Sequence, residues 1–93
     1  MTQQRFTNVW DAIENTQAEA GSMKLRSTLM SALKDRVRRE ELSVARVAKL
    51  LGVTQSRVSD LMRGKINLFG LDALVNMATA AGLRIEMQVF EGA

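Results

Sequence analysis

The 93-residue chain contains neither cysteine nor histidine, whose side chains carry much of protein chemistry. Without cysteine there is no disulfide and no thiolate nucleophile, and without either residue the usual ligands of a zinc site are missing. Histidine is also the commonest general base, so its absence removes the usual proton acceptor. We therefore predict that the chain is not an enzyme and that it uses no metal and no cofactor.

Long apolar runs are absent as well, although 46% of the residues are hydrophobic. No run approaches the roughly 18 residues that a membrane-spanning helix needs, and no charged segment followed by an apolar stretch indicates a signal peptide. We expect a cytoplasmic protein without a membrane segment. Its length predicts a single domain, residues 1–93, with one small core that oligomerisation would help to stabilise.

The charged residues are segregated along the chain, so the net charge of +3 understates the local imbalance. Residues 23–66 contain eleven Lys and Arg against four Asp and Glu, a net charge of +7, whereas residues 1–22 and 67–93 each carry −2. A basic middle segment of this kind is typical of a surface that binds a polyanion such as DNA.

Within the basic segment, caps and spacings predict two short helices joined by a tight turn. Ser43 can cap the first helix, and Gly52 can end it in the left-handed conformation. Thr54 can cap the second helix, which Gly64 ends. Ala48 lies four residues before Gly52, where two steeply crossing helices leave room for little more than a methyl group. The spacing therefore predicts a helix-turn-helix.

Helices are also predicted on both sides of this motif. Residues 1–7 show no periodicity and are expected to be frayed. A first helix is predicted from Asn8, and Gly21 and Ser22 separate it from a second helix whose apolar residues recur about every four positions. A last helix follows the motif and ends before Gly82. The predicted fold is mainly α, a five-helix bundle with a central helix-turn-helix.

Three large apolar side chains outside the motif are expected to pack in the core or at an interface. Leu68 and Phe69 lie in the loop before the last helix, and both are expected to fill the core beneath the second helix of the motif. Trp10 is the only Trp in the chain. It is expected to pack at the edge of the core or in a dimer interface. The alternative is that it anchors a partner, since buried Trp residues are common in binding hot spots.

At the C-terminus the apolar periodicity changes to two, which predicts a β-strand over residues 83–90. A single strand leaves backbone hydrogen-bonding groups unpaired at both edges. We therefore expect it to pair with the same strand of a second chain about a two-fold axis. The predicted dimerisation residues are Leu83, Ile85, Met87 and Val89.

The second helix of the motif is predicted to lie in the major groove, with its N-terminal residues nearest the base edges. Gln can form two hydrogen bonds to adenine and Arg can form two to guanine, so Gln55 and Arg57 are the expected sources of sequence discrimination. The predicted base-reading residues are Thr54, Gln55, Ser56, Arg57 and Ser59. The predicted phosphate-contacting residues are Ser43, Arg46, Arg63 and Lys65.

Several of these residues have an alternative role that needs no DNA. Thr54 is required as a helix cap in any case, and Gln55 and Arg57 could simply be solvated. Asp60 is acidic and lies on the same helix. It is expected to pair with a neighbouring arginine, either Arg57, Arg63 or Arg46.

Three runs in this part of the chain resemble a known family. GVTQSRVSDL at 52–61, RGK at 63–65 and FGLD at 69–72 are similar to Cro/XRE-type helix-turn-helix proteins, and most of all to HigA-like antitoxins. The resemblance covers residues 10–90 and implies a lambda-repressor-like fold. Val44 departs from it, since many relatives have at this position a Gln that contacts a phosphate.

The resemblance implies a repressor that binds a palindromic operator in its own operon and neutralises a RelE/HigB-type toxin, a ribosome-dependent endoribonuclease. In that case the C-terminal strand could instead pair with a strand of the toxin. A stand-alone phage or host regulator without a toxin is the first alternative. A protein-interaction module that binds no DNA is the second, and the basic middle segment argues against it.

Overall fold

Residues 9–92 of the chain, with side chains from residue 20 onward, are described by a computed structural model. They form four α-helices, which are α1 (Val9–Glu40), α2 (Val44–Leu51), α3 (Gln55–Met62) and α4 (Leu71–Ala80). A 3-10 turn at Ile66–Leu68 connects α3 to α4, and no β-strand is formed within residues 9–92. The prediction of a mainly α fold with a helix-turn-helix is confirmed, but the five-helix count and the C-terminal strand are wrong.

The first two predicted helices form one continuous helix, α1. It contains 32 residues and passes through Gly21 and Ser22 without a break. A glycine inside a helix costs only about 1 kcal/mol relative to alanine, which is too little to interrupt a long helix. Neither α1 nor any other helix in the described range is long and apolar enough to cross a membrane. The predictions for residues 1–7, for Asn8 and for the side chain of Trp10 fall outside what the structure describes.

The caps predicted for the helix-turn-helix are present. Ser43 Oγ accepts a hydrogen bond from the backbone N–H of Arg46 at 3.3 Å, and Thr54 Oγ1 accepts one from the backbone N–H of Arg57 at 3.2 Å. Gly52 ends α2 with φ +71°, in the left-handed region that a residue with a Cβ rarely adopts. The chain therefore turns between α2 and α3 as the sequence predicts.

One core joins the four helices and the turn between α3 and α4. Ala48 is only 6% exposed, as expected for a residue where α2 packs closely against its neighbours. Phe69 is buried as predicted, whereas the prediction for Leu68 is wrong, because this side chain is 50% exposed. The tight 3-10 turn places Ile66 against the core and turns Leu68 outward. The largest fully buried side chains are Leu33, Val47, Val58, Leu61, Phe69 and Leu74.

The segment after α4 leaves the helical core and forms no regular structure. Gly82 has φ +81°, and the N–H of Leu83 donates to the carbonyl oxygen of Ala78 at 2.9 Å. From residue 84 to residue 92, no backbone–backbone hydrogen bond is formed within the described chain. The period-two pattern does not correspond to alternating burial either, since Met87 is 72% and Val89 83% exposed. The predicted strand is wrong because alternation alone supplies no backbone partner.

Candidate nucleic-acid interface

One face of α3 is buried and the opposite face is polar and open to solvent. Val58 and Leu61 are buried and hold the helix against the core. On the other side, residues at the helical spacing of three to four positions share a single face. The polar residues of this face, together with the residue that ends the helix, are Gln55, Ser56, Ser59, Asp60 and Arg63. We call this set the α3 polar face.

The α3 polar face has the properties that reading base edges requires. Gln55, Ser56 and Arg63 are exposed, whereas Ser59 and Asp60 are partly buried at the helix surface. A helix is narrow enough to enter the major groove, where side-chain amides, hydroxyls and carboxylates can meet base donors and acceptors. Because the buried side of α3 belongs to the core, the helix backbone presents these side chains in a fixed arrangement.

Thr54 and Ser43 lie at the N-termini of α3 and α2, and both side chains are exposed. Each hydroxyl oxygen already accepts a hydrogen bond from a backbone N–H of its own helix. A hydroxyl can also donate its hydrogen, so capping leaves this hydrogen for a base or a phosphate oxygen. Capping and DNA contact are therefore compatible at both positions.

The basic residues predicted to contact phosphates are all exposed. Arg46 lies on α2, where it lines an open groove of about 530 Å³ together with Lys49 and two leucines. Arg63 and Lys65 follow the last turn of α3. They can hold a phosphate near the same end of the helix, which would fix the register of α3 without reading sequence.

Asp60 pairs with a residue other than the predicted arginines. Its Oδ1 atom lies 3.7 Å from Nζ of Lys65, which follows α3. The side chains of Asp60 and Lys65 are 24% and 49% exposed, so the ion pair contributes little to stability. Sequence reasoning did not count Asp60 among the base readers, although its position four residues after Ser56 and three before Arg63 places it on the α3 polar face.

Arg57, predicted to read a base, lies apart from this face. Its Nη1 atom donates a hydrogen bond to the carbonyl oxygen of Leu68 at 2.7 Å. Its guanidinium carbon also lies 4.2 Å from the centroid of the Phe69 ring. The other predicted base readers are Thr54, at the N-terminal end of α3, and Gln55, Ser56 and Ser59, on its polar face. The structure therefore brings these four predicted base readers together on α3, and it places Arg57 against the turn at 66–69.

The predicted dimerisation residues do not form one uniform surface. Leu83 packs against the core, whereas Ile85, Met87 and Val89 are exposed. Phe90 is 79% exposed and adds a large apolar side chain that the alternating pattern did not include. Within the part of the chain that the structure describes, no group of three or more acidic side chains is placed to hold a metal ion.

Comparison with known proteins agrees with this geometry. Residues 12–90 match the helix-turn-helix domain family. A solved structure described as an XRE-family transcriptional regulator is similar, with a TM-score of 0.73 and 27% sequence identity over 80% of this chain and 83% of that chain. No curated protein matches the sequence. The chain belongs to the helix-turn-helix domain family, and its Cro/XRE-type fold is that of a DNA-binding regulator.

Proposed function

We propose that the chain is a sequence-specific transcriptional repressor that binds a palindromic DNA operator as a homodimer. The observation that carries this proposal is the α3 polar face, on which Gln55, Ser56 and Ser59 are presented by a helix packed on the core. Gln55 can bond to adenine through two hydrogen bonds, and Asp60 can accept one from the amino group of cytosine. These side chains can therefore distinguish base pairs.

Phosphate contacts supply the affinity in this proposal. Arg46, Arg63 and Lys65 are exposed and lie on or next to the two helices of the motif. The net charge of +7 over residues 23–66 favours approach to DNA whatever its sequence. Phosphate contacts alone cannot discriminate, so the α3 polar face supplies the specificity.

Exposed apolar side chains near the C-terminus support the homodimer. Ile85 is 41%, Met87 72%, Val89 83% and Phe90 79% exposed, all within one short segment. Large apolar side chains exposed close together in the chain favour contact with a partner, and a second copy related by a two-fold axis would cover them. A two-fold axis would also relate two α3 helices, as reading a palindrome with half-sites about 34 Å apart requires. The proposal assumes no particular pairing of backbone groups.

The more specific proposal is that the repressor is an antitoxin that regulates its own operon. It is supported by the resemblance of the runs at 52–61, 63–65 and 69–72 to HigA-like antitoxins. The adjacent reading frame tests it. We expect that frame to encode a RelE/HigB-type ribonuclease whose inhibition of growth is relieved when this chain is coexpressed. A neighbouring frame without such activity would favour a stand-alone regulator.

A salt titration separates the repressor from an interaction module that binds no DNA. For a protein that contacts six to ten phosphates, affinity should fall by about 10³ to 10⁵ between 50 and 200 mM salt. We expect the purified chain to lose affinity for duplex DNA steeply over this range. Absence of binding at 50 mM salt would contradict the proposal.

A further inference from the structure

Arg57 lies on the side of α3 away from Gln55, which is exposed to solvent. Two contacts, one with Leu68 and one with Phe69, hold its side chain there. The hydrogen bond from Nη1 to the carbonyl oxygen of Leu68 is 2.7 Å long, short for an N–H donor, as expected when the donor is charged. The guanidinium also stacks 4.2 Å from the centroid of Phe69, within the range of a cation–π interaction. Arg57 is partly buried against the buried Phe69 ring, whereas its hydrogen bond to Leu68 lies at the protein surface.

A second arginine, from another helix, contacts the same turn. Arg26 of α1 donates from Nη1 to the carbonyl oxygen of Phe69 at 3.4 Å. The carbonyl groups of Leu68 and Phe69, which are consecutive in the chain, therefore accept from arginines of two different helices. Phe69 is only 1% exposed, so its ring anchors the turn in the core while the arginines hold its backbone. We call residues 66–69 and these two arginines the arginine clamp.

From this geometry we infer that Arg57 is a positioning residue, which fixes the 66–69 turn against α3, and that it does not read a base. The inference rests on the proposed function and replaces the base-reading prediction for this residue. To reach a base, the guanidinium would have to give up a charge-assisted hydrogen bond and its stacking on Phe69. Both losses would oppose binding, and Gln55, Ser56 and Ser59 are available without such a change.

The clamp also links the turn to the DNA-facing side of the motif. Lys65 directly precedes the 3-10 turn, and its carbonyl oxygen accepts the N–H of Leu68 at 3.0 Å. A turn held by Arg57 therefore fixes the position from which Lys65 approaches a phosphate. Loss of the clamp should weaken binding to all sequences and leave the pattern of base preference unchanged.

The test compares Arg57→Ala and Arg57→Lys with Arg63→Ala, which removes an exposed arginine from the end of α3. Without DNA, we expect Arg57→Ala to lower the melting temperature by about 4 to 8 °C. Arg57→Lys keeps one charged donor and should recover part of this loss, and Arg63→Ala should melt as the wild type does. A wild-type melting temperature in Arg57→Ala would overturn the inference.

Binding is then measured to a set of duplexes in which each base pair of the preferred site is replaced in turn. We expect Arg57→Ala to bind every duplex more weakly than wild type does. For each replaced base pair, the penalty is the factor by which the replacement weakens binding, and this factor should lie within about twofold of the wild-type value. Loss of the penalty at a single base pair would show that Arg57 reads that pair and would overturn the inference, whatever the melting temperature.

Amide hydrogen exchange without DNA separates failure of this inference from failure of the proposed function. The N–H of Phe69 donates to the carbonyl oxygen of Ile66 at 3.1 Å, so its exchange rate reports on the turn. Faster exchange at Phe69 in Arg57→Ala supports the clamp, and unchanged exchange overturns it. Absence of sequence preference in the wild-type protein would instead contradict the proposed function.

Discussion

In the proposed function, Gln55 is the side chain on which sequence discrimination most directly depends. It is exposed at the first position of α3. We expect Gln55→Ala to lose about 1 to 3 kcal/mol of discrimination at one A·T pair, because a bidentate contact to adenine disappears. Weak binding to any sequence should remain, since the phosphate contacts are intact.

The matched control is Asn76→Ala, which removes an exposed amide from α4. It should change neither affinity nor preference in the same titrations of the preferred duplex and of a scrambled one. If Gln55→Ala kept its preference within twofold of wild type, α3 would not be the reading helix.

Contacts between individual residues can be predicted from the sequence where the interacting groups are close along the chain. The caps at Ser43 and Thr54 join residues three positions apart, and their residue types alone indicate the contact. The contact of Arg57 with Leu68 spans 11 residues, and that of Arg26 with Phe69 spans 43. Such contacts leave no periodic signal, so the arginine clamp could be found only from the fold.

Among the helices, the packing of α2 is the feature most sensitive to a single change. Ala48 is buried in the core, whereas Ala45 lies on the same helix and is exposed. We expect Ala48→Leu to lower the free energy of unfolding by about 1 to 3 kcal/mol, because the added atoms overpack the core. Ala45→Leu should change it little. Thermal or denaturant unfolding of both variants is the measurement, and equal stabilities would contradict the packing described for α2.

Continuity of α1 at Gly21 gives a second prediction at this scale. A Cβ placed at Gly21 meets nothing within 4 Å, and its φ is not positive, whereas Gly52 has φ +71°. We expect Gly21→Ala to stabilise α1 by about 0.5 to 1 kcal/mol, since glycine has greater backbone freedom in the unfolded chain. Gly52→Ala should destabilise the protein, because the left-handed conformation is unfavourable for alanine.

The effect of Gly21→Ala is checked by amide exchange over residues 18–25, together with helix content from circular dichroism. Slower exchange in Gly21→Ala supports a continuous helix. Faster exchange would indicate that the chain turns at Gly21, as the sequence reading predicts.

The two errors in the fold have physical causes at the level of elements. The predicted break at Gly21 and Ser22 rests on two residues that are unfavourable in helices, but their penalty is small compared with the hydrogen bonds of a 32-residue helix. The predicted strand at 83–90 rests on the alternation of apolar and polar residues, which is a property of the side chains. A strand also needs a backbone partner, and none is present within residues 9–92.

For the whole molecule, the exposed apolar segment predicts self-association. We expect the full chain to sediment as a dimer at micromolar concentration, because Met87, Val89 and Phe90 would otherwise stay in contact with water. Val89→Lys should shift the equilibrium towards monomer, since a charge would be buried in the contact. Gln88→Lys adds the same charge at the neighbouring position and should have the smaller effect. A monomeric wild-type protein would contradict the homodimer.

Selection of binding sites from a library of random duplexes tests most directly whether the α3 polar face reads DNA. Wild type and Gln55→Ala are carried through the same selection, and the recovered sequences are compared. We expect wild type to recover a palindrome with half-sites about 34 Å, or one helical turn, apart. Gln55→Ala should recover sites that have lost their preference at one symmetric pair of positions. Recovery of no shared sequence by wild type, or of the same sequence with the same preference by both proteins, would contradict this assignment.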